Sequence, residues 1–569
     1  MSGSYAVEPM DLAWIQRTVR CRHTCPVNTN AGGYIALIAR GRFDEAYALA
    51  SEPNPLVNVC ARVCARPCEK ACRRGQVDEP VAICALKRFA YDNRGQARPV
   101  KKAPPRPEQV AVIGSGPAGL ACAHDLAVQG YPVTIFEAAT VAGGQLKLGL
   151  PHYRLPREIV DEDIERVRSL GVAIRLGQSL GREFTLGDLR EQGYKAVFLA
   201  VGACRSRELR IPGTDLPQAL RGVEFLAAVN QGFAVPLGRR VIVVGGGNVA
   251  MDVARTAARC PERPEVHVVC LEAEHEMPAD REEVEALADE SIHLHNRLGP
   301  KAIVGEAGRV SGLLTQRVAR VFDETGRFNP SFVENSESTL PCDTVILAIG
   351  QTSDLSFLQP GDGVKVTPRG TIAVDPESLA TDVPGIFAGG DAAAGPGIII
   401  GAVAAGRKAA RSIQEYLSGR RKVFRTVLEQ TPVPWLRAED DYHRTERQEA
   451  SLLDPDRRGP KDEVDQGLFP PQAMAEAQRC LQCFINPWLD PDACILCGGC
   501  VDVCPYACLS IVPAGQTTGP GLNGVAAGNT VMIKDDDLCI RCGLCSNRCP
   551  TGAMSMQRFD WKEELVDVR

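Results

Sequence analysis

Two runs of cysteine near the end of the chain have a spacing that suits one kind of chemistry. Cys494, Cys497, Cys500 and Cys504, followed by Pro505, spell CxxCxxCxxxCP, and Cys539, Cys542, Cys545 and Cys549, followed by Pro550, spell it again. Thiolates separated by two residues on a turning loop converge on one iron–sulfur cubane, while the fourth, displaced and turned by proline, reaches the other cubane. The pattern assigns Cys494, Cys497, Cys500 and Cys549 to one [4Fe–4S] cluster and Cys539, Cys542, Cys545 and Cys504 to a second. Structural zinc also takes four sulfurs from CxxC pairs, but it uses two pairs per ion and has no use for the third step or the crossed Cys-Pro. Cys508 falls outside the pattern and reads as a buried thiol.

Glycine carries the second chemistry. VAVIGSGPAGLACAHDLAVQGYPVTIFE runs strand, glycine turn, helix, strand, acid. Gly114 permits the tight turn, Gly116 lets the backbone approach a pyrophosphate, and Gly119 allows close helix–strand packing, with Pro117 and Ala118 opening the helix. Glu137, at the second strand end, can accept from a ribose hydroxyl. AGGQLKLGLPHYRLP follows, with Gly144, Gln145, Leu146 and Arg154, and far downstream GIFAGGDAAAGPGII brings Gly390, Asp391, Ile398 and Ile399. This set resembles the two-dinucleotide-binding-domain flavoproteins, in which the first unit and the late Gly-Asp element together hold FAD.

A second unit, RRVIVVGGGNVAMDVARTAAR, has Gly245, Gly247 and Ala250 in the fingerprint positions, with Gly246, Asn248 and Val249 between them; Gly350 closes the later strand DTVILAIG. One flavin and one nicotinamide is the natural reading. The competing one, a nucleotide fold that binds nothing, stays open for this unit because glycine turns also serve packing alone. The strand after the second turn ends in Leu271 and Glu272. A carboxylate there accepts from two ribose hydroxyls and repels a 2′-phosphate, so NADH is expected in preference to NADPH, unless Glu272 is a solvated loop residue. No cysteine occurs from Ala123 to Ala203. A dithiol beside the flavin is therefore not expected, and electrons must leave through the clusters.

These groups need elements to hold them. The expected architecture is multidomain: a helical N-terminal iron–sulfur domain (1–104), an α/β flavoprotein core and an α+β ferredoxin-like C-terminal domain (490–569). Within the core, 105–235 and 344–420 are expected to bind FAD and 236–343 NAD(H), with 421–489 a linker carrying Cys480 and Cys483. VAVIG, VTIFE, AVFLAVG, RRVIVVGGG, VHVVCLE, DTVILAIG and PGIFAGGD are short apolar strands of a βαβ pattern. At 569 residues, 44% hydrophobic and 24% charged, the chain is globular and too long for one core. A net charge of -6 argues against a nucleic-acid surface. No apolar run reaches the roughly 18 residues of a membrane span, so a cytoplasmic protein is expected, and its 23 cysteines are better explained by metal than by disulfides.

CPVNTNAGGYIALI, CARVCARPCEKACRRG, DEPVAICALKRFAYD, GLPHYRLP and GGGNVAMDVARTA resemble the small subunit of glutamate synthase and the matching N-terminal half of dihydropyrimidine dehydrogenase, over residues 20 to about 415. The last stretch, 490 to 560, resembles a bacterial two-cluster ferredoxin with a long glycine-rich insertion, QTTGPGLNGVAAGN. The resemblance implies two further [4Fe–4S] clusters in the N-terminal domain. Its first cysteine string, CxxC, a short gap and CxxxCP, is cut here to Cys21 and Cys25-Pro26, while AEAQRCLQC far downstream looks like the missing lead-in. Cys480 and Cys483 are accordingly expected to fold back and complete a cluster with Cys21 and Cys72; the rival is that they merely begin a linker or ligate elsewhere. Cys25, Cys60, Cys64 and Cys68 make the other set. Where some relatives place a Gln or Glu ligand this chain has Lys87, which as a cation is no ligand, and Cys60 fits as the replacement.

Sixteen of the 23 cysteines are thus given to four [4Fe–4S] clusters. The expected function is an NADH:acceptor electron-transfer subunit in a hetero-oligomeric complex, passing electrons between NAD(H), FAD and a partner such as a 2-oxoacid or aldehyde oxidoreductase. The alternatives are a stand-alone NAD(P)H:ferredoxin oxidoreductase and a glutamate synthase small subunit; a non-enzymatic scaffold is disfavoured by two complete nucleotide units. No residue is required as a general base, because hydride chemistry belongs to the cofactors.

Overall fold

Residues 5–6, 11–95, 100–434, 444–519, 526 and 528–568 are described by a computed structural model. The chain divides into two compact units, one of residues 100–417 with 452–466, the other of residues 1–99, 418–451 and 467–569.

The first unit contains two five-stranded parallel sheets. In one, the order is Ile386–Ala388, Tyr194–Leu199, Gln109–Ile113, Val133–Phe136, Ala173–Arg175. In the other it is His293–His295, Glu265–Val269, Arg240–Val244, Thr344–Leu347, Ala219–Arg221. Every strand expected from the apolar runs is present. Their continuous rather than alternating hydrophobicity follows from burial on both faces: Val110, Ala111 and Val112 are wholly buried, as are Val241 and Val243. Helices Pro117–Val128 and Asn248–Ala258 follow the first glycine turn of each sheet. A separate antiparallel group, Leu298–Glu306, Arg309–Phe322, Phe328–Phe332 and Ser338–Pro341, interrupts the second sheet's sequence.

The other unit joins the two ends of the chain. Helices Ala31–Ile38 and Ile83–Asp92 pack with each other, with Phe43–Ser51 and with Pro470–Gln478. Leu509–Pro513 pairs with Thr530–Lys534, and Tyr5–Ala6 pairs in parallel with Thr517–Thr518. The segment expected to be a linker holds a strand, Arg421–Pro432, in antiparallel register with the last strand, Met554–Val568, from Arg421↔Val568 to Pro432↔Gln557. Its partner lies far away in sequence, so no local turn signal announces it. Trp14 donates from Nε1 to Asp536 (2.5 Å) and stands edge-on to Phe559 at 5.1 Å. Phe484, Phe559 and Trp561 join Trp14 and Ile15 in one core. Each such aromatic contributes about 1.5–3 kcal/mol through burial, so the N-terminal helix is held to the C-terminal strand by aromatic packing. Residues 520–525 and 527 of the glycine-rich insertion lie outside the described residues. No described helix is long and apolar enough to cross a membrane.

Candidate functional site

A cavity of about 610 Å³ opens in the first unit, lined by Gly114, Gly116, Pro117, Ala118, Glu137, Gly144, Gln145, Leu146, Gly390, Asp391, Ile398 and Ile399. Gly114 has φ 104°, and a Cβ there would meet the Ala200 carbonyl oxygen at 2.4 Å. Gly119 supports from behind: its Cβ would stand 2.0 Å from the Gly114 carbonyl oxygen. A Cβ on Gly116 would meet nothing within 4 Å. That opening at a helix N-terminus is where backbone N–H groups can receive a pyrophosphate. The Glu137 carboxylate accepts from the Ser115 N–H (2.8 Å), the Ser115 hydroxyl (2.5 Å) and the Ala139 N–H (2.9 Å). Three of about four acceptor positions on a carboxylate are used, which leaves a fixed position for a ribose hydroxyl. Burial pushes the Asp391 carboxyl up to about 6. The residues present fit a flavin dinucleotide.

Arg154 is not part of that lining. It donates to Asp252 (2.7 Å) and pairs with Glu283 (3.1 Å), so it braces the two dinucleotide-binding parts. Val249 and Asp252, from the second helix, do reach the cavity, as do Gln351 and the single cysteine Cys204. Sequence reading left out Asp252, Gln351 and Cys204; the only local signal for Gln351 is its place beside Gly350, whose φ is 113°.

In the second unit of the fingerprint, Gly245 has φ 146°, and a Cβ there would lie 2.3 Å from the Ala348 carbonyl oxygen. A Cβ on Gly247 would have Pro278 Cγ as its nearest neighbour, at 4.0 Å, whereas one on Gly246 would meet Glu272 Oε2 at 2.6 Å. The Glu272 carboxylate therefore lies over the second glycine of the turn. Its carbonyl accepts from Asn296 Nδ2 and the Arg297 N–H, both at 3.1 Å, which fixes the bend. Asn248 is committed to Asp280 through two hydrogen bonds, and Ala250 is wholly buried beneath the turn.

The cysteines gather in groups. Cys21, Cys72, Cys480 and Cys483 line one small cavity with Ile35, Leu481 and Phe484. Burial raises the Cys21 thiol, and Cys483, Cys72 and Cys480 add to the effect. Arg73 lines the same cavity. Its buried Nε has no hydrogen-bond partner, and burial, then the neighbouring Arg541, lower its basicity to about 10. Arg73 pairs with Asp537 at 3.4 Å, and a thiolate-ligated cluster would be a further anion beside it. A second group surrounds Lys87, which is raised against the effect of burial by Cys64, Cys84, Cys60 and Cys68. Cys84 donates to the carbonyls of Cys60 (3.5 Å) and Ala61 (3.6 Å) and is pushed up to about 12 by burial, so it remains a thiol. Cys25 is buried, with its sulfur 3.4 Å from Thr29 Oγ1.

Cys504, Cys539, Cys542 and Cys545 line a third cavity, and Cys508 is among them. Cys508 lies 3.3 Å from Cys504. Hydrogen bonding from it holds Cys504 at about 6 and Cys539 at about 5, in the range where thiolates form readily. Burial raises the Cys500 thiol and Cys494 and Cys497 add to the effect, while Cys549 packs against the core that holds Cys500; Cys497 is exposed and Cys500 buried. Both CxxC loops turn alike, with Leu496 and Arg541 at φ 53° and 61° and Gly498 and Gly543 at 77° and 82°. Among the described residues no group of three or more His, Cys, Asp or Glu is set to hold a single metal ion.

The model of the pyridine nucleotide-disulphide oxidoreductase family matches residues 108–406, more than half the chain. The chain belongs to that family. Flanking this oxidoreductase core, residues 16–98 match the dihydropyrimidine dehydrogenase domain II, 4Fe-4S cluster, and residues 493–553 the 4Fe-4S dicluster domain. The chain is 41% identical over 82% of its length to the beta subunit of NADP(+)-dependent formate dehydrogenase of Moorella thermoacetica, covering 71% of that protein. It is 35% identical, over 82% of itself and 75% of the relative, to the beta subunit of NADPH-Fe(3+) oxidoreductase of Geobacter sulfurreducens. The glutamate synthase [NADPH] small chain of Azospirillum brasilense is 31% identical over 70% of this chain and 86% of its own. This oxidoreductase uses FAD, a nicotinamide dinucleotide and iron–sulfur clusters. Its family name mentions a disulphide, yet the segment 123–203 has no cysteine.

Proposed function

We propose that the chain is the electron-transfer subunit of an NADH-linked oxidoreductase complex. What carries the reading is a flavin groove lined by a single cysteine in the same chain as one cavity lined by Cys21, Cys72, Cys480 and Cys483 and another lined by Cys504, Cys539, Cys542 and Cys545. Lone Cys204 cannot support dithiol exchange. FAD, when bound, supplies the step between two-electron hydride chemistry and one-electron transfer. The chain's own residues position it: Gly116 opens the pyrophosphate site, Glu137 takes the ribose, and the Gly245–Gly247 turn with Glu272 takes the nicotinamide dinucleotide. Cys21, Cys72, Cys480 and Cys483 hold one cluster, and Cys25, Cys60, Cys64 and Cys68 another. The remaining eight ligands, Cys494, Cys497, Cys500, Cys504, Cys539, Cys542, Cys545 and Cys549, hold the last two.

All three of these relatives are named for NADP(H). Here the Glu272 carboxylate over Gly246 disfavours a 2′-phosphate by repulsion and loss of solvation, which supports NADH. Two relatives are also beta subunits, which supports a catalytic partner that handles an organic acid or aldehyde while this chain exchanges electrons with NAD⁺. Anaerobic purification from the native cell tests this. A stoichiometric catalytic subunit and NADH-dependent reduction are expected; a lone chain that reduces a mobile ferredoxin at full rate favours the stand-alone alternative instead.

A further inference from the structure

The two CxxC loops of the dicluster region repeat one turn but place different side chains at one position. Leu496 is 42% exposed, whereas Arg541 is 1% exposed and is the largest fully buried side chain among the described residues. A guanidinium so deeply buried is strongly destabilising unless anions and hydrogen bonds compensate it. It donates to the Cys539 carbonyl and to Asn486 Oδ1 at 3.3 Å. Arg541 lines the cavity of Cys504, Cys539, Cys542 and Cys545, and Asn486, which accepts from it, donates from Nδ2 to the Cys483 carbonyl (2.9 Å). Cys483 belongs to the cavity that Cys21, Cys72 and Cys480 line, and Cys539 to the cavity of Cys504, Cys542 and Cys545.

Those cavities also share a wall. Val77, Leu481 and Ile540 form one buried apolar cluster, with Cys483, Cys542 and Tyr506 packed against it. Leu481 lines the first cavity, and Ile540 and Tyr506 line the other, so a single layer of side chains separates them. Resting on the four-cluster reading, we propose that this wall is a direct electron junction between the split cluster and the Cys504/Cys539/Cys542/Cys545 cluster. Arg541 is its tuning residue, favouring the reduced, more negative form on both sides. One electron leaves one cluster and enters the other; no bond forms or breaks, and the total charge beside Arg541 is unchanged by the transfer. Because the same cation faces both sites, it raises both potentials and leaves the step between them nearly level.

The test is potentiometry followed by electron paramagnetic resonance on the full chain purified anaerobically, with iron counted first. About 16 irons per chain, four in each of four cubanes, are expected. In R541Q with full iron, the midpoints of two clusters should fall by the equivalent of about tenfold in the reduced-to-oxidised ratio, about 59 mV for a one-electron couple. R541K should restore most of that shift. The fully reduced protein should show spin–spin broadening that C480S removes, a reading that survives even if R541Q loses iron. Full iron with unmoved midpoints, or no broadening attributable to the split site, overturns the junction alone. About 12 irons in the unaltered protein overturns the four-cluster reading and the junction with it.

Discussion

In the proposed function Glu272 is the residue that separates NADH from NADPH; its carboxylate lies over Gly246, where a Cβ would be only 2.6 Å from Oε2. E272R should reverse the preference, raising kcat/KM for NADPH relative to NADH by at least about tenfold, about 1.4 kcal/mol; an unchanged ratio in steady-state assays would count against the role. At Gly116, where a side chain would project into open space, G116V should fill the pyrophosphate position and yield chain with its iron but little FAD, seen as loss of flavin absorbance. The glycine turns were legible in sequence because only a few residue types tolerate such backbone. Arg154 was not: a cation near a dinucleotide motif suggests a phosphate contact, and only the fold reveals Asp252 and Glu283 as its partners. Cys508 is the buried thiol the sequence suggested, and it also lies against Cys504 and within reach of Cys539. C508A should leave the iron count unchanged and lower that cluster's midpoint, because hydrogen bonds to cluster sulfurs raise the potential.

Among elements, the parallel strands declared themselves through continuous apolar runs, because burial on both faces removes the need for polar alternation. Arg421–Pro432 did not. It is an edge strand whose partner is Met554–Val568, and pairing across so long a separation leaves no turn signature. Deleting residues 554–569 should therefore do more than trim an end. It removes Phe559 and Trp561 from the core around Trp14, and the expected result is loss of the cluster assigned to Cys21, Cys72, Cys480 and Cys483, with FAD retained in the other unit. Iron and flavin measured on the same sample check this; equal loss of both would contradict separate units.

At the scale of the molecule, the cysteines at the two ends belong to one unit, although composition alone divides them into two terminal blocks. The broken cysteine string was the one sequence feature that hinted at it. C480S and C483S should each cost about four irons of about 16 while sparing NADH-dependent flavin reduction, read by stopped-flow bleaching; loss of flavin reduction would show that the split site supports the groove instead. The same arrangement bears on how the protein is made. Cys72 leaves the ribosome 480 − 72 = 408 residues ahead of Cys480, about 20–80 s at ordinary synthesis rates of about 5–20 residues per second. For that interval two thiols wait without their counterparts, and no chain stopped before Cys483 can close the site. On the proposed ligand set, loading of that cluster thus marks a chain made at least as far as Cys483, and shorter copies would carry flavin without it.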